Sequence, residues 1–123
     1  MDDICLKLPL KSEFVLIARL VSSGYSARLG LDIEKTEDIK VVISEILNKC
    51  ILAEKTDDQK IDIDFSIWEN HLVISFKLDE IEEIVGKNGS DDLGYAIIQT
   101  LCDKFEFVSS RILKVRFVFK EDK

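Results

Sequence analysis

Thr36-Glu37-Asp38-Ile39-Lys40-Val41-Val42-Ile43-Ser44-Glu45-Ile46-Leu47-Asn48-Lys49-Cys50-Ile51 is the stretch on which the reading of this sequence turns. Ile39, Val42, Ile43, Ile46, Leu47, Cys50 and Ile51 recur at the spacing of one helical face, and Val41 and Leu52 widen the stripe. A stripe that broad belongs to a helix buried on more than one side. The pattern therefore predicts a central helix from Thr36, its expected N-cap, to Glu54.

Upstream, Ile4 to Leu8 reads as a short strand stopped by Pro9, the only proline, which removes a backbone donor. Ser12 is the expected cap of a first helix, with Phe14, Ile17, Ala18 and Val21 on one face and Gly24 or Gly30 near its end. Downstream, Ile61, Ile63, Phe65 and Ile67 alternate with Asp62, Asp64 and Ser66, and Leu72, Ile74, Phe76 and Leu78 alternate with Val73, Ser75 and Lys77. Two half-buried antiparallel strands follow, joined by a turn at Glu69-Asn70-His71. Asp79 to Asp92, with Gly86, Asn88, Gly89 and Ser90, reads as a loop with one helical turn through Ile81 to Val85. Leu93, Ala96, Ile97, Thr100 and Leu101 mark the apolar face of a third helix, and Phe105 to Val108 and Ile112 to Phe119 form a closing hairpin. The order is β-α-α-β-β-α-β-β. An α+β fold is expected, a two-layer sandwich with three helices on one face of a mostly antiparallel sheet.

Composition bounds what such a fold can do. With 123 residues, 46% hydrophobic and 33% charged, the chain is expected to form one domain over 1–123. Cys5, Cys50 and Cys102 are widely spaced, odd in number and free of any CxxC pattern, which argues against a disulfide framework and a zinc site. No apolar run approaches the length of about 18 residues that a membrane span needs, and the start at Met1-Asp2-Asp3 lacks a basic leader. A cytoplasmic protein that avoids membranes is expected. A net charge of -7 repels phosphate backbones and disfavours nucleic acid. The single histidine, His71, reads as a hairpin-tip residue rather than a general base.

Three ordered blocks then carry a resemblance: Pro9-x-x-x-x-Phe14-Val15-x-x-x-Arg19-Leu20, Glu37-Asp38-Ile39-Lys40-x-Val42-Ile43-Ser44-Glu45, and Leu93-Gly94-x-x-x-Ile98-x-Thr100-Leu101-x-Asp103. From about Ile4 to Phe119 the chain resembles bacterial anti-sigma factors of the serine-protein kinase type, on the histidine-kinase-like ATPase (GHKL, Bergerat) fold. The resemblance implies partner switching: such proteins hold a sigma factor inactive and, with ATP and magnesium, phosphorylate a serine on an antagonist. It implies Glu45 as the catalytic base, Gly94 at a phosphate-binding helix start, and Arg19 as a contact for both sigma factor and antagonist.

The nucleotide boxes depart from that pattern. Lys49 stands where the family has a magnesium-binding Asn, and an ammonium cannot coordinate a cation. Glu45 and Lys49 have the spacing and order of a helical ion pair, so Glu45 reads either as a base or as an ion-paired carboxylate. The adenine box has become Lys77-Leu78-Asp79-Glu80-Ile81-Glu82 without glycine, and Asp79 fits the box aspartate only with a one-residue shift. The acidic loop around Lys87 repels triphosphate, although Lys49 offsets part of that charge. Gly94 serves either phosphate binding or close packing, and Ile112-Leu113-Lys114 lacks the family's Gly-x-Thr. The first expectation is a protein-binding regulator that requires no cofactor, with ATP and Mg2+ binding weak or absent. Its partners are a sigma factor, an anti-anti-sigma antagonist, or both, and a homodimer through the first strand is compatible with the pattern. The alternative is an active ATP-dependent serine-protein kinase, so the sequence leaves open whether the chain is an enzyme. An unrelated α/β binding domain is the third reading.

Overall fold

The computed structural model describes residues 1–86 and 92–119. Five strands, β1 (Ile4–Pro9), β2 (Lys60–Trp68), β3 (His71–Lys77), β4 (Lys104–Ser109) and β5 (Ile112–Val118), form one antiparallel sheet in the order β1-β2-β3-β5-β4. Helices α1 (Val15–Leu29), α2 (Ile33–Leu52), α3 (Ile81–Gly86) and α4 (Leu93–Leu101) complete the two-layer α+β sandwich. Alternation sets the layers. Ile61, Ile63 and Phe65, Leu72, Ile74 and Phe76, and Leu113, Val115 and Phe117 point into the core beneath the helices, while Asp62, Asp64 and Lys114 face the other side.

Helix α2 is central. Ile39, Val42, Ile43, Ile46, Leu47 and Cys50 are all buried, and α1 and α4 pack on either side of it. Its start differs from the sequence expectation. Gly30, at φ 78°, ends α1 in the left-handed conformation that glycine tolerates. Asp32 then becomes extended and its Oδ1 accepts the Lys35 amide at 2.8 Å, so Asp32, not Thr36, is the N-cap. Thr36 lies inside the helix, where its Oγ1 donates to the Asp32 carbonyl at 2.9 Å.

Ser12 likewise caps nothing. It opens a single 3-10 turn, Ser12–Phe14, before α1 begins at Val15. The inward face of α1 is Ala18, Ser22, Tyr25 and Ser26, and Ile17 is exposed. On α4 the predicted apolar face is largely turned outward: Ile98 is the buried residue, whereas Leu93, Ala96 and Thr100 line a shallow surface cavity with Ile97 and Leu101. The helical turn expected near Ile81 is the short helix α3, and Lys87 to Asp91 of the expected acidic loop lie outside the described residues. His71 is not at the tip but pairs with Trp68 as the first rung after the Glu69-Asn70 turn, and its Nδ1 is buried without a hydrogen-bond partner.

Candidate functional site

One turn of α2 separates Glu45 from Lys49, and this stretch faces the start of α4. Asp92 is the N-cap of α4: its Oδ1 accepts the Tyr95 amide at 3.1 Å, while Oδ2 pairs with the Lys49 ammonium. The Lys49 and Asp92 side chains are only 15% and 23% exposed, so the pair is shielded from solvent. Lys49 holds the Asp92 carboxyl below the usual carboxylate range, assisted by the Tyr95 and Gly94 amides. The ion pair of Lys49 is thus with Asp92 across the helix layer, not with Glu45 along α2.

Gly94 completes the cluster by what it lacks. A Cβ there would stand 2.7 Å from Glu45 Oε1, 3.3 Å from Lys49 Cε and 3.4 Å from Asp92 Oδ1. The missing side chain is the space into which Glu45 and Lys49 fit. Three of the residues singled out in the sequence, Glu45, Lys49 and Gly94, are therefore brought together.

Asp79 makes a separate contact. Its carboxylate accepts from Arg111 Nε at 2.8 Å, on the rim of a cavity of about 570 Å3 lined also by Lys60, Lys77 and Ser109. Its neighbour Glu80, at φ 65°, pairs with Lys55. Leu113, the middle residue of the Ile112-Leu113-Lys114 segment, is fully buried, and the Phe107 ring lies 2.9 Å from where a Cβ of Gly86 would be.

Arg19 lies on the other flank of α2. Its Nη1 donates to Ser44 Oγ at 3.0 Å, and Ser44 Oγ in turn donates to the Lys40 carbonyl at 2.9 Å. One Arg19 donor is thus used to join α1 to α2, and the guanidinium has further donors beyond that one. Around it Leu16, Ile17 and Leu20 are 59%, 41% and 59% exposed. An exposed apolar stripe beside an arginine is the composition of a protein contact surface.

The residues present do not fit a magnesium-bound nucleotide. An ammonium occupies the position implied for a metal ligand, and the Asp92 carboxylate already takes the α4 amide end and the nearby cation. Among the described residues, no group of three or more His, Cys, Asp or Glu side chains is placed to hold a metal ion. Asp92 is a site residue that sequence reasoning treats as one more loop acid. Its position immediately before the apolar run from Leu93 is the N-cap signature that could have marked it.

No protein-family model matches the chain. The chain is 34% identical over 120 aligned positions to the serine-protein kinase RsbW of Oceanobacillus iheyensis, covering 83% of this chain and 76% of that protein. It is 29% identical to RsbW of Bacillus thuringiensis, covering 98% of this chain and 88% of that protein. Among solved structures, the SiaB–SiaC complex of Pseudomonas aeruginosa contains a chain matching at TM-score 0.64 and 14% identity, over 94% of this chain and 88% of that one. The RsbU and RsbW domains of Rv1364c from Mycobacterium tuberculosis match at TM-score 0.71 and 13% identity, over 95% of this chain and 32% of that one. At those identities the two structures speak for the fold alone. No helix among the described residues is long and apolar enough to cross a membrane. Sequence similarity and fold agree with the three ordered blocks, and the chain belongs to the RsbW family of serine-protein kinases and anti-sigma factors, on the histidine-kinase-like ATPase fold.

Proposed function

We propose that this chain is a cytoplasmic, single-domain anti-sigma-factor-like regulator of a partner-switching system, acting by protein binding with weak or lost ATP use. The observation that carries this reading is the pairing of an exposed apolar stripe, Leu16, Ile17 and Leu20, with Arg19 on α1, while Lys49 and Asp92 engage each other where a nucleotide would need cationic and amide donors. The partner is a sigma factor, an anti-anti-sigma antagonist, or each in turn, with Arg19 anchoring the contact. A net charge of -7 supports a protein rather than a nucleic-acid partner. The edge strand β1 offers unpaired backbone groups through which two copies could also associate.

The second reading, an active serine-protein kinase, is favoured by the names of the relatives and by the retained Glu45 beside Gly94. One experiment separates the two. The tagged chain is used to capture partners from its native host, and calorimetry then measures each purified partner with and without magnesium-ATP. We expect a sigma factor or its antagonist to bind without nucleotide, and Arg19→Ala to weaken that binding by about 1–2 kcal/mol. Binding that appears only with magnesium-ATP, with Arg19→Ala unchanged, would instead establish the kinase reading.

A further inference from the structure

The side of the sheet turned away from the core has a charge of its own. Its acids Asp62, Asp64 and Glu106 are each matched by a lysine, Lys7 at 2.9 Å, Lys77 at 3.6 Å and Lys104 at 3.9 Å. Lys114 and Arg116 of β5 stand in the same cross-strand rows and are left over, since among the described residues no carboxylate pairs with either. Both are half-buried, and the Arg116 guanidinium lies over the ring of Trp68, 6.0 Å from its centroid. Trp68 is 60% exposed and is the only tryptophan of the chain. A chain of net charge -7 thus carries a locally cationic strip beside an exposed aromatic ring. We propose that this outward face of the sheet, centred on Lys114, Arg116 and Trp68, is a second docking surface, and that its occupant is an extended acidic segment of a protein partner.

Spacing and charge choose that occupant. Lys114 and Arg116 are two residues apart on one strand, so their side chains leave the same face about 6.8 Å apart. Alternate side chains of an extended segment repeat at the same interval, which lets two carboxylates meet the two cations in step. The interleaved Asp62, Asp64 and Glu106 disfavour a continuous polyanion, because a nucleic acid or an anionic membrane sets phosphates against them. A peptide with uncharged residues between its acids avoids that repulsion. Arginine and tryptophan are also the residues enriched where protein contacts hold most tightly. At the end of β3 the face runs into the cavity of about 570 Å3 that Lys60, Lys77 and Arg111 line, a depression along which the segment can continue. This surface lies on the layer opposite α1, so the inference goes beyond the contact at Arg19 and does not depend on it.

The test titrates the full chain with a blocked decapeptide of alternating Glu and Thr at low ionic strength, read by calorimetry and by the emission of Trp68. We expect saturable binding that shifts the emission and is lost on raising the salt to about 0.5 M. The double variant Lys114→Gln with Arg116→Gln should bind the peptide about fivefold more weakly or worse, the effect of losing two partly shielded ion pairs. Arg28→Glu makes the same change in net charge at an exposed position of α1, in the helix layer, and should leave the affinity within about twofold. Absence of saturable binding, an equal loss in the two variants, or binding that leaves the Trp68 emission unchanged overturns the surface. Tighter binding of a thymidine decanucleotide or of phosphatidylserine vesicles than of the peptide overturns it as well, and assigns the strip to a nucleic acid or a membrane. Should the double variant fail to fold, Lys114→Gln alone against Arg28→Gln carries the same comparison. The α1 contact enters none of these readouts, so either surface can fail while the other stands.

Discussion

Helices α1 and α2 lie side by side on the same sheet and use their apolar residues in opposite ways. On α2, Ile39, Val42, Ile43 and Ile46 are completely buried, and the large side chains fill the space between the helix and the strands. On α1 the buried positions are Ala18, Ser22, Tyr25 and Ser26, mostly small, while Leu16, Ile17 and Leu20 face outward. On that face Tyr25 packs its ring against Phe65 of the sheet, and Ser22 satisfies its hydroxyl by donating to the Arg19 carbonyl at 2.8 Å. Periodicity alone does not separate the two helices, since each has an apolar face. Only the packing distinguishes a face that makes the core from one left over after the core is complete.

The contrast is broken or sharpened first by truncation on α2. Ile43→Ala removes a fully buried side chain beneath the helix layer and leaves a cavity in a close-packed core. A loss of about 2–5 kcal/mol in urea unfolding is expected. A loss below about 1 kcal/mol would mean that α2 is not the packed centre of the fold.

That centre is legible in the sequence because an unbroken stripe from Ile39 to Ile51 leaves few other ways to fold. Strand β2 is legible for the same reason, its two-residue alternation fixing which side faces the helices, whereas β3, expected to be half-buried, is buried at every position from Leu72 to Phe76 because it lies inside the sheet between β2 and β5. Helix starts are less so. Asp32 and Thr36 are both good capping residues, and the choice is made by the left-handed Gly30 ending α1, a tertiary consequence of where the chain must turn. The outward face of α4 is misleading because Leu93, Ala96, Ile97 and Thr100 obey helical spacing perfectly well, and periodicity has no sign. In the candidate site, Glu45 and Gly94 are visible through the ordered blocks, and Lys49 through its departure from the family's metal-binding Asn. Asp92 has a legible capping position before Leu93, but its pairing with Lys49 is not legible, because the two are 43 residues apart and no local pattern records that distance.

A cysteine on the buried stripe of α2 gives the next test. Burial pushes the Cys50 thiol from an ordinary 9.0 up to about 12, with Lys49 opposing the rise. Cys102 is pushed to about 11 by burial as well. A raised folded-state value means that the native protein holds its proton when the unfolded chain has lost it. The contribution is therefore complete below pH 9 and is lost as pH climbs towards 12. Each such thiol should steepen the fall in stability by about 1.4 kcal/mol per pH unit in that window. Urea midpoints compared between the unmodified chain and Cys50→Ala should show the smaller alkaline slope in the variant. Equal slopes would show that the α2 interior admits water at Cys50.

Capping chemistry at the start of α2 supplies a smaller effect. Asp32→Ala removes the acceptor for the Lys35 amide and should cost about 1 kcal/mol in thermal or urea unfolding. Thr36→Ala removes only a hydroxyl that donates to the carbonyl one turn earlier, and should cost less. A reversed order would return the cap to Thr36 and shorten α2 by a turn.

The smallest effect on the fold is expected at Leu20, and it bears most directly on the difference between the two helices. Leu20 is 59% exposed, so Leu20→Gln replaces one good helix former by another at a position outside the core. Stability should change by no more than about 0.5 kcal/mol. Partner binding should behave differently, because an exposed leucine beside Arg19 loses apolar contact only when a second surface covers it. The informative result is thus a split: an unchanged urea midpoint together with weaker binding of the captured partner in the calorimeter. A Leu20→Gln chain that unfolds at markedly lower urea would assign the stripe to the fold of α1 itself. Full partner affinity in the same variant would move the contact surface off this helix and leave α4, with its outward Leu93 and Ile97, as the face to examine next.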